Sequence, residues 1–128
     1  MKIEHAAYQA EDPVAVAAWY VAHLGFTVRR SSGPPAYTHF LADSSGSVMI
    51  EIYNNPRILT PAYSAMDPLL LHLAFSSGDP EADRDRLVAA GAVLVEDFVT
   101  SPAGDGLVML RDPWGFAIQL VKRANPMI

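Results

Sequence analysis

The sequence predicts an α+β fold built from two tandem βαβββ modules. Three observations point to it: an internal repeat, a helix-start signal used twice, and matching apolar runs of strand length. His5-Ala6-Ala7-Tyr8 aligns with His72-Leu73-Ala74-Phe75, and Asp12-Pro13 aligns with Asp79-Pro80, both at an offset of 67 residues. Leu24-Gly25 aligns with Ala90-Gly91 at 66, and Val48-Met49-Ile50-Glu51-Ile52 with Phe116-Ala117-Ile118-Gln119-Leu120 at 68. Turns that differ by one residue account for the drift. Self-similarity at a fixed period marks two copies of one supersecondary unit.

The elements follow in order. Lys2 to Gln9 and Leu69 to Ser77 are apolar runs of strand length, each closed by an Asp-Pro pair. Asp12 and Asp79 suit helix N-caps, and Pro13 and Pro80 suit the first helical position, where a missing N–H costs nothing. The first helix is expected near Pro13 to Leu24, ending at Gly25. The second is expected near Pro80 to Ala90, ending at Gly91, with both glycines suited to a left-handed cap. Glu81 and Asp83 complement the dipole of the second helix, whose thin apolar stripe of Leu87, Val88 and Ala90 predicts a surface layer. Three strands follow each helix: Phe26 to Arg30, Ala36 to Ala42 and Ser47 to Tyr53, then Ala92 to Phe98, Gly106 to Arg111 and Phe116 to Val121. The chain thus reads as one domain over residues 1–128, with a module at 1–53, a linker at 54–68, a module at 69–122 and a short tail. The linker, with three prolines, also reads as a lid over a cleft.

Composition narrows the function classes. A length of 128 residues suits a single core, and 51% hydrophobic with 18% charged residues is ordinary globular composition. A net charge of −5 lacks the basic footprint of a nucleic-acid binder. With no cysteine, disulfide frameworks, thiolate zinc sites and thiol nucleophiles fall away together, and a cytoplasmic location is the expectation. The longest apolar stretch, Val14 to Ala22, is far short of a membrane span, so no membrane partner is expected.

Strand periodicity then groups the polar residues. His5 lies on the face of Ile3 and Ala7, opposite Tyr8, and His72 repeats this geometry. Glu51 shares its face with Met49 and Tyr53, behind which Val48, Ile50 and Ile52 form an apolar face; Gln119 repeats that as well. Four ligand-capable side chains thus occupy two pairs of repeat-equivalent positions among apolar neighbours, where an unpaired polar group is costly.

These residues, together with Leu110-Arg111-Asp112-Pro113-Trp114-Gly115-Phe116-Ala117-Ile118-Gln119-Leu120, resemble the vicinal oxygen chelate superfamily over essentially the whole chain. That is the glyoxalase, bleomycin-resistance and ring-cleaving dioxygenase group. The resemblance implies a half-open, mostly antiparallel, eight-stranded barrel-like sheet around a central cavity. It also implies one divalent metal ion held by His5, Glu51, His72 and Gln119. Family enzymes usually carry a glutamate at the last position; Gln119 offers a neutral carbonyl oxygen, which removes a candidate base. The choice among zinc, nickel, manganese, cobalt and iron stays open, as does the participation of a thiol such as glutathione.

The activity implied is that of a metal-dependent glyoxalase-like lyase or isomerase acting on a small oxygen-bearing substrate. Such an ion acts as a Lewis acid on adjacent substrate oxygens and stabilises an enediolate-like intermediate. Glu51, as the carboxylate of the set, is the expected catalytic residue for proton transfer, directly or through a water. Two alternatives stand beside it. One is a ring-cleaving dioxygenase with a two-histidine, one-carboxylate iron face; the other is a metal-free, ligand-sequestering protein of the bleomycin-resistance kind. His39 reads as a packing or hydrogen-bonding residue and His23 as a surface residue at a helix end. Arg57, Arg111 and Arg123 read as solvated charges that would otherwise meet an anionic substrate, and Trp114 as packed in its turn. Tyr8, Tyr37, Phe40, Tyr53 and Tyr63 are too dispersed to form a stacking platform. Open sheet edges predict a homodimer.

Overall fold

A computed structural model describes residues 1–127 and contains two helices and eight strands in two four-stranded sheets. The chain divides into two compact units, Met1–Pro61 and a second beginning at Ala62, so the boundary falls inside the expected linker.

In the first unit the order is β1 (His5–Gln9), α1 (Pro13–Leu24), β2 (Thr27–Ser31), β3 (His39–Ala42) and β4 (Met49–Tyr53). The second repeats it with β5 (Leu73–Ser76), α2 (Pro80–Ala89), β6 (Val93–Thr100), β7 (Gly106–Arg111) and β8 (Ala117–Lys122), preceded by a 3-10 turn at Tyr63–Ala65. The strand orders are β1-β4-β3-β2 and β5-β8-β7-β6, so each sheet is open, with one parallel pair at one edge and two antiparallel pairs after it.

Both helices start by the same device. Asp12 Oδ1 accepts from the Ala15 N–H at 3.0 Å, and Asp79 Oδ1 accepts from the Ala82 N–H at 3.1 Å, each with proline at the start of the helix. Gly25 closes α1 at φ 73°, a conformation that a side chain would strain. In the first unit α1 lies on β2, β3 and β4. It buries Val16, Ala17, Trp19 and Tyr20, while Leu41, Ile50 and Ile52 are buried in the sheet. In the second unit α2 contributes mainly Leu87, fully buried, beside β6, β7 and β8; Val88 is 43% exposed. Its stripe is thinner than the sequence suggests, and α2 forms a surface layer.

Several boundaries differ from the sequence reading. Strand β1 begins at His5 because its partner β4 begins at Met49, which leaves residues 2–4 without a ladder. Strand β5 begins at Leu73 because Asp67 starts a turn: its carboxylate accepts from the Leu69 N–H and its carbonyl from the Leu70 N–H.

The segment expected as a lid is tied down at both ends. Buried Gln9 donates to Asn54 Oδ1, the Asn55 carbonyl and the Ile58 carbonyl, and accepts from the Asn55 N–H. In the second unit Tyr63 is buried against Phe116, with ring centroids 4.9 Å apart. Arg111 donates to the carbonyls of Tyr63, Met66 and Gly115, so it is neither a solvated charge nor poised for a substrate. Buried Asp112 accepts from the Trp114 and Phe116 N–H groups and shapes the turn before β8, in which Trp114 is 37% exposed. Among the described residues no helix is long and apolar enough to cross a membrane.

Candidate functional site

The ladder register fixes which side chains share a face. In the first unit His5 pairs with Met49 and Ala7 with Glu51, so His5 and Glu51 sit diagonally on one face of the sheet. The structure brings them together, with His5 Nε2 3.4 Å from Glu51 Oε2. Glu4 accepts a short hydrogen bond from His5 Nδ1–H, which leaves Nε2 facing Glu51. That bond raises the imidazole pKa above its ordinary value of 6.5 against partial desolvation, and the charges of Glu4 and Glu51 add to it.

In the second unit Ala74 pairs with Gln119, and His72 lies one residue before β5, which puts it in the alternation of Ala74 and so on the face of Gln119. Its Nδ1–H donates to the Pro68 carbonyl at 2.9 Å, leaving Nε2 free of that bond. Both histidines thus have Nδ1 committed to an oxygen, the arrangement that fixes the tautomer and orients Nε2 for a cation.

In the first unit the separation of the donors fits a divalent ion. Metal–nitrogen and metal–oxygen bonds of about 2.0–2.2 Å place two ligands of one tetrahedral ion roughly 3.4 Å apart, the separation found between His5 and Glu51. Among the described residues, no group of three or more His, Cys, Asp or Glu side chains is placed to hold a metal.

Two cavities adjoin Glu51 in the first unit. One of about 560 Å³ is lined by Glu51, Thr38, Tyr53, Asn55, Arg57 and neighbouring Pro and Ala residues. The other, of about 340 Å³, is lined by Glu51, Thr38, Phe40, Arg30, Ser31 and Ser32. His39 pairs with Ile52 and therefore lies away from Glu51, its Nδ1–H donating to the Tyr37 carbonyl at 2.7 Å. The His23 ring lies tilted against Trp19, with centroids 5.3 Å apart, and Arg123 is paired with Asp105.

Sequence reasoning missed Glu4 and the aromatic Phe40, whose ring meets His5 edge-on at 5.5 Å. It also missed Arg30. Counting by twos from Val28 assigns Arg30 to the helix-packed face, but Val28 pairs with Leu41 and Arg30 with Phe40, so a bulge at Arg29 turns Arg30 to the face of Glu51.

The family model described as Glyoxalase/Bleomycin resistance protein/Dioxygenase superfamily matches residues 2–120. Among solved structures, a glyoxalase family protein from Bacillus cereus has 16% identity and a TM-score of 0.79, with 98% of this chain and 95% of that one covered. A glyoxalase I mutant from Zea mays has 18% identity and a TM-score of 0.77, covering 97% of this chain and 46% of that one. TnmS3, an antibiotic binding protein from Streptomyces sp. CB03234, has 19% identity and a TM-score of 0.75, with 97% of each chain covered. No curated protein matches significantly.

Proposed function

Because the chain belongs to the Glyoxalase/Bleomycin resistance protein/Dioxygenase superfamily, we propose that it is a divalent-metal-dependent, glyoxalase-type lyase or isomerase acting on a small oxygen-bearing substrate. His5, Glu51, His72 and Gln119 are its ligand set in this reading. The observation that supports it most directly is the 3.4 Å approach of His5 Nε2 to Glu51 Oε2 with His5 Nδ1 held by Glu4.

A bound divalent ion supplies Lewis acidity toward adjacent oxygens of the substrate. The chain's own residues do the rest. Glu51 borders both cavities of its unit, which supports its carboxylate as the group that takes a proton from a substrate carbon and returns it to a neighbouring position. His5 and His72 stay in the Nε2-available tautomer through their Nδ1 bonds to Glu4 and Pro68. Gln119 contributes no second base, which makes the proton transfer depend on Glu51 alone within the ligand set. A cytoplasmic location and a homodimer complete the proposal, the latter supported by the exposed β6 edge.

Elemental mass spectrometry on untagged protein tests this reading. Near-stoichiometric divalent metal is expected in the parent and its loss in the His5→Ala, His72→Ala double variant. A parent that stays empty after reconstitution with each candidate ion overturns it. That outcome turns to the second reading, a metal-free ligand-sequestering protein, which the neutral amide at Gln119 favours.

A further inference from the structure

We propose that Arg30, stacked on Phe40, anchors a carboxylate at the far end of the substrate, so that the preferred substrates are small acids whose reacting oxygens lie at Glu51. This rests on the functional reading above and names its substrate class.

The ladder lays out the geometry. Ala7 pairs with Glu51, Glu51 with Phe40, and Phe40 with Arg30, so one row crosses the sheet on the face that also carries His5. Neighbouring strands are about 4.7–4.9 Å apart, which puts Arg30 roughly 10 Å from Glu51 along the row. Phe40 stands between them. Its ring meets the His5 imidazole at 5.5 Å on one side and the Arg30 guanidinium carbon at 4.5 Å on the other. Stacking fixes the plane of a guanidinium and leaves its N–H edge for a planar, two-oxygen acceptor.

That edge has no carboxylate partner among the described residues, although Arg84, Arg86 and Arg123 in the second unit are all paired with aspartates. The 340 Å³ cavity runs from Arg30 to Glu51, and Ser31, Ser32 and Thr38 also line it. Arg57, on the wall of the other cavity, follows the Asn55 turn and stacks on no ring among the described residues.

The second unit supplies an internal control. Its equivalent row is Ala74, Gln119, Met109 and Glu96, which puts a negative charge where the first unit has Arg30. An anion therefore finds its partner on the first sheet.

Calorimetric titration with 2-oxoglutarate and with 2-oxopentanoate, which lacks the distal carboxylate, tests the inference on the full chain with zinc and with chelator. The diacid is expected to bind roughly tenfold more tightly, as a charge-assisted paired hydrogen bond does. Arg30→Gln should bring the two acids within about twofold while leaving the monoacid unchanged, and Arg30→Lys should retain part of the difference. Arg57→Gln should leave the ratio intact. Equal affinity for the two acids in the parent, including binding by neither, overturns the inference; so does a ratio that survives Arg30→Gln or collapses with Arg57→Gln. Failure of the metal reading shows separately, as acid affinities that are the same with zinc and with chelator while the Arg30 dependence persists.

Discussion

The two halves of the chain share a plan and differ in charge. Residues 1–61 hold four basic and five acidic side chains, whereas residues 62–128 hold five and nine. In the second unit three arginines are neutralised by aspartates and the fourth clasps backbone carbonyls. In the first unit Arg29, Arg30 and Arg57 have no carboxylate partner among the described residues. The equivalent rows, Glu51-Phe40-Arg30 and Gln119-Met109-Glu96, place different chemistry on one scaffold. A duplicated fold thus keeps its backbone economy and assigns ionic tethers to one copy and open charges to the other.

The sharpest test of that asymmetry exchanges Glu51 and Gln119, the repeat-equivalent members of the proposed ligand set. Glu51→Gln should lower turnover of an active substrate by roughly 10²–10⁴-fold, whereas Gln119→Glu should keep metal uptake. Full activity in Glu51→Gln removes the proton-transfer role. Next in size is packing. Leu87→Ala should destabilise the second unit by about 2–5 kcal/mol in urea unfolding, because α2 has little else buried. A much smaller loss shows that α2 contributes less than its burial suggests.

Arg111→Leu should follow with about 2 kcal/mol, from carbonyls of Tyr63, Met66 and Gly115 left without their donor. Hydrogen exchange should localise the change to residues 62–66 and spare 54–58, which Gln9 holds. Asp12→Ala and Asp79→Ala should each cost about 1 kcal/mol, equal within error if the two caps are the same device.

The smallest effect is acid sensitivity. The Asp97 carboxyl is held low by the Phe98 N–H and Arg84, and that of Asp105 by the Ala124 N–H and Arg123. Asp83 is raised by desolvation but held low on balance by Ser77 and Arg86. A depressed folded pKa gives stability that is present above the ordinary value of 3.8 and lost as pH falls through the folded value. All three groups belong to the second unit. Its amides should therefore lose exchange protection first as the pH drops below about 4; simultaneous loss in both units contradicts the comparison.

Much of this architecture was legible in the sequence because its signals are local. Pro13 to Leu24 and Gly106 to Arg111 match their expected ranges, and the Asp-Pro pairs and Gly25 mark what they predict. The faces of His5, Glu51 and Gln119 follow from strand alternation, which holds wherever the ladder is regular. Arg30 was illegible because a bulge breaks that alternation, and Glu96 for the same reason. Arg111 was misread because its acceptors are backbone carbonyls up to 48 residues away, which carry no side-chain signature. The Asp67-Pro68 turn did have one, a turn-starting aspartate before proline, and the apolar run after it masked the signal.

The exposure of β6 governs how the protein behaves when concentrated. All eight of its residues are exposed at the edge of a sheet, with Val93, Leu94, Val95, Phe98 and Val99 among them. Such a strand is a template for molecule-to-molecule stacking into insoluble β-rich material. Glu96 and Asp97 interrupt the apolar run, irregularities in the ladder around Glu96 bend it, and the Phe98 N–H and Arg84 hold the Asp97 carboxyl below the usual range. Asp97 is paired with Arg84, so the guard at high protein concentration falls mainly to the Glu96 carboxylate, and strong salt, which screens it, weakens that guard.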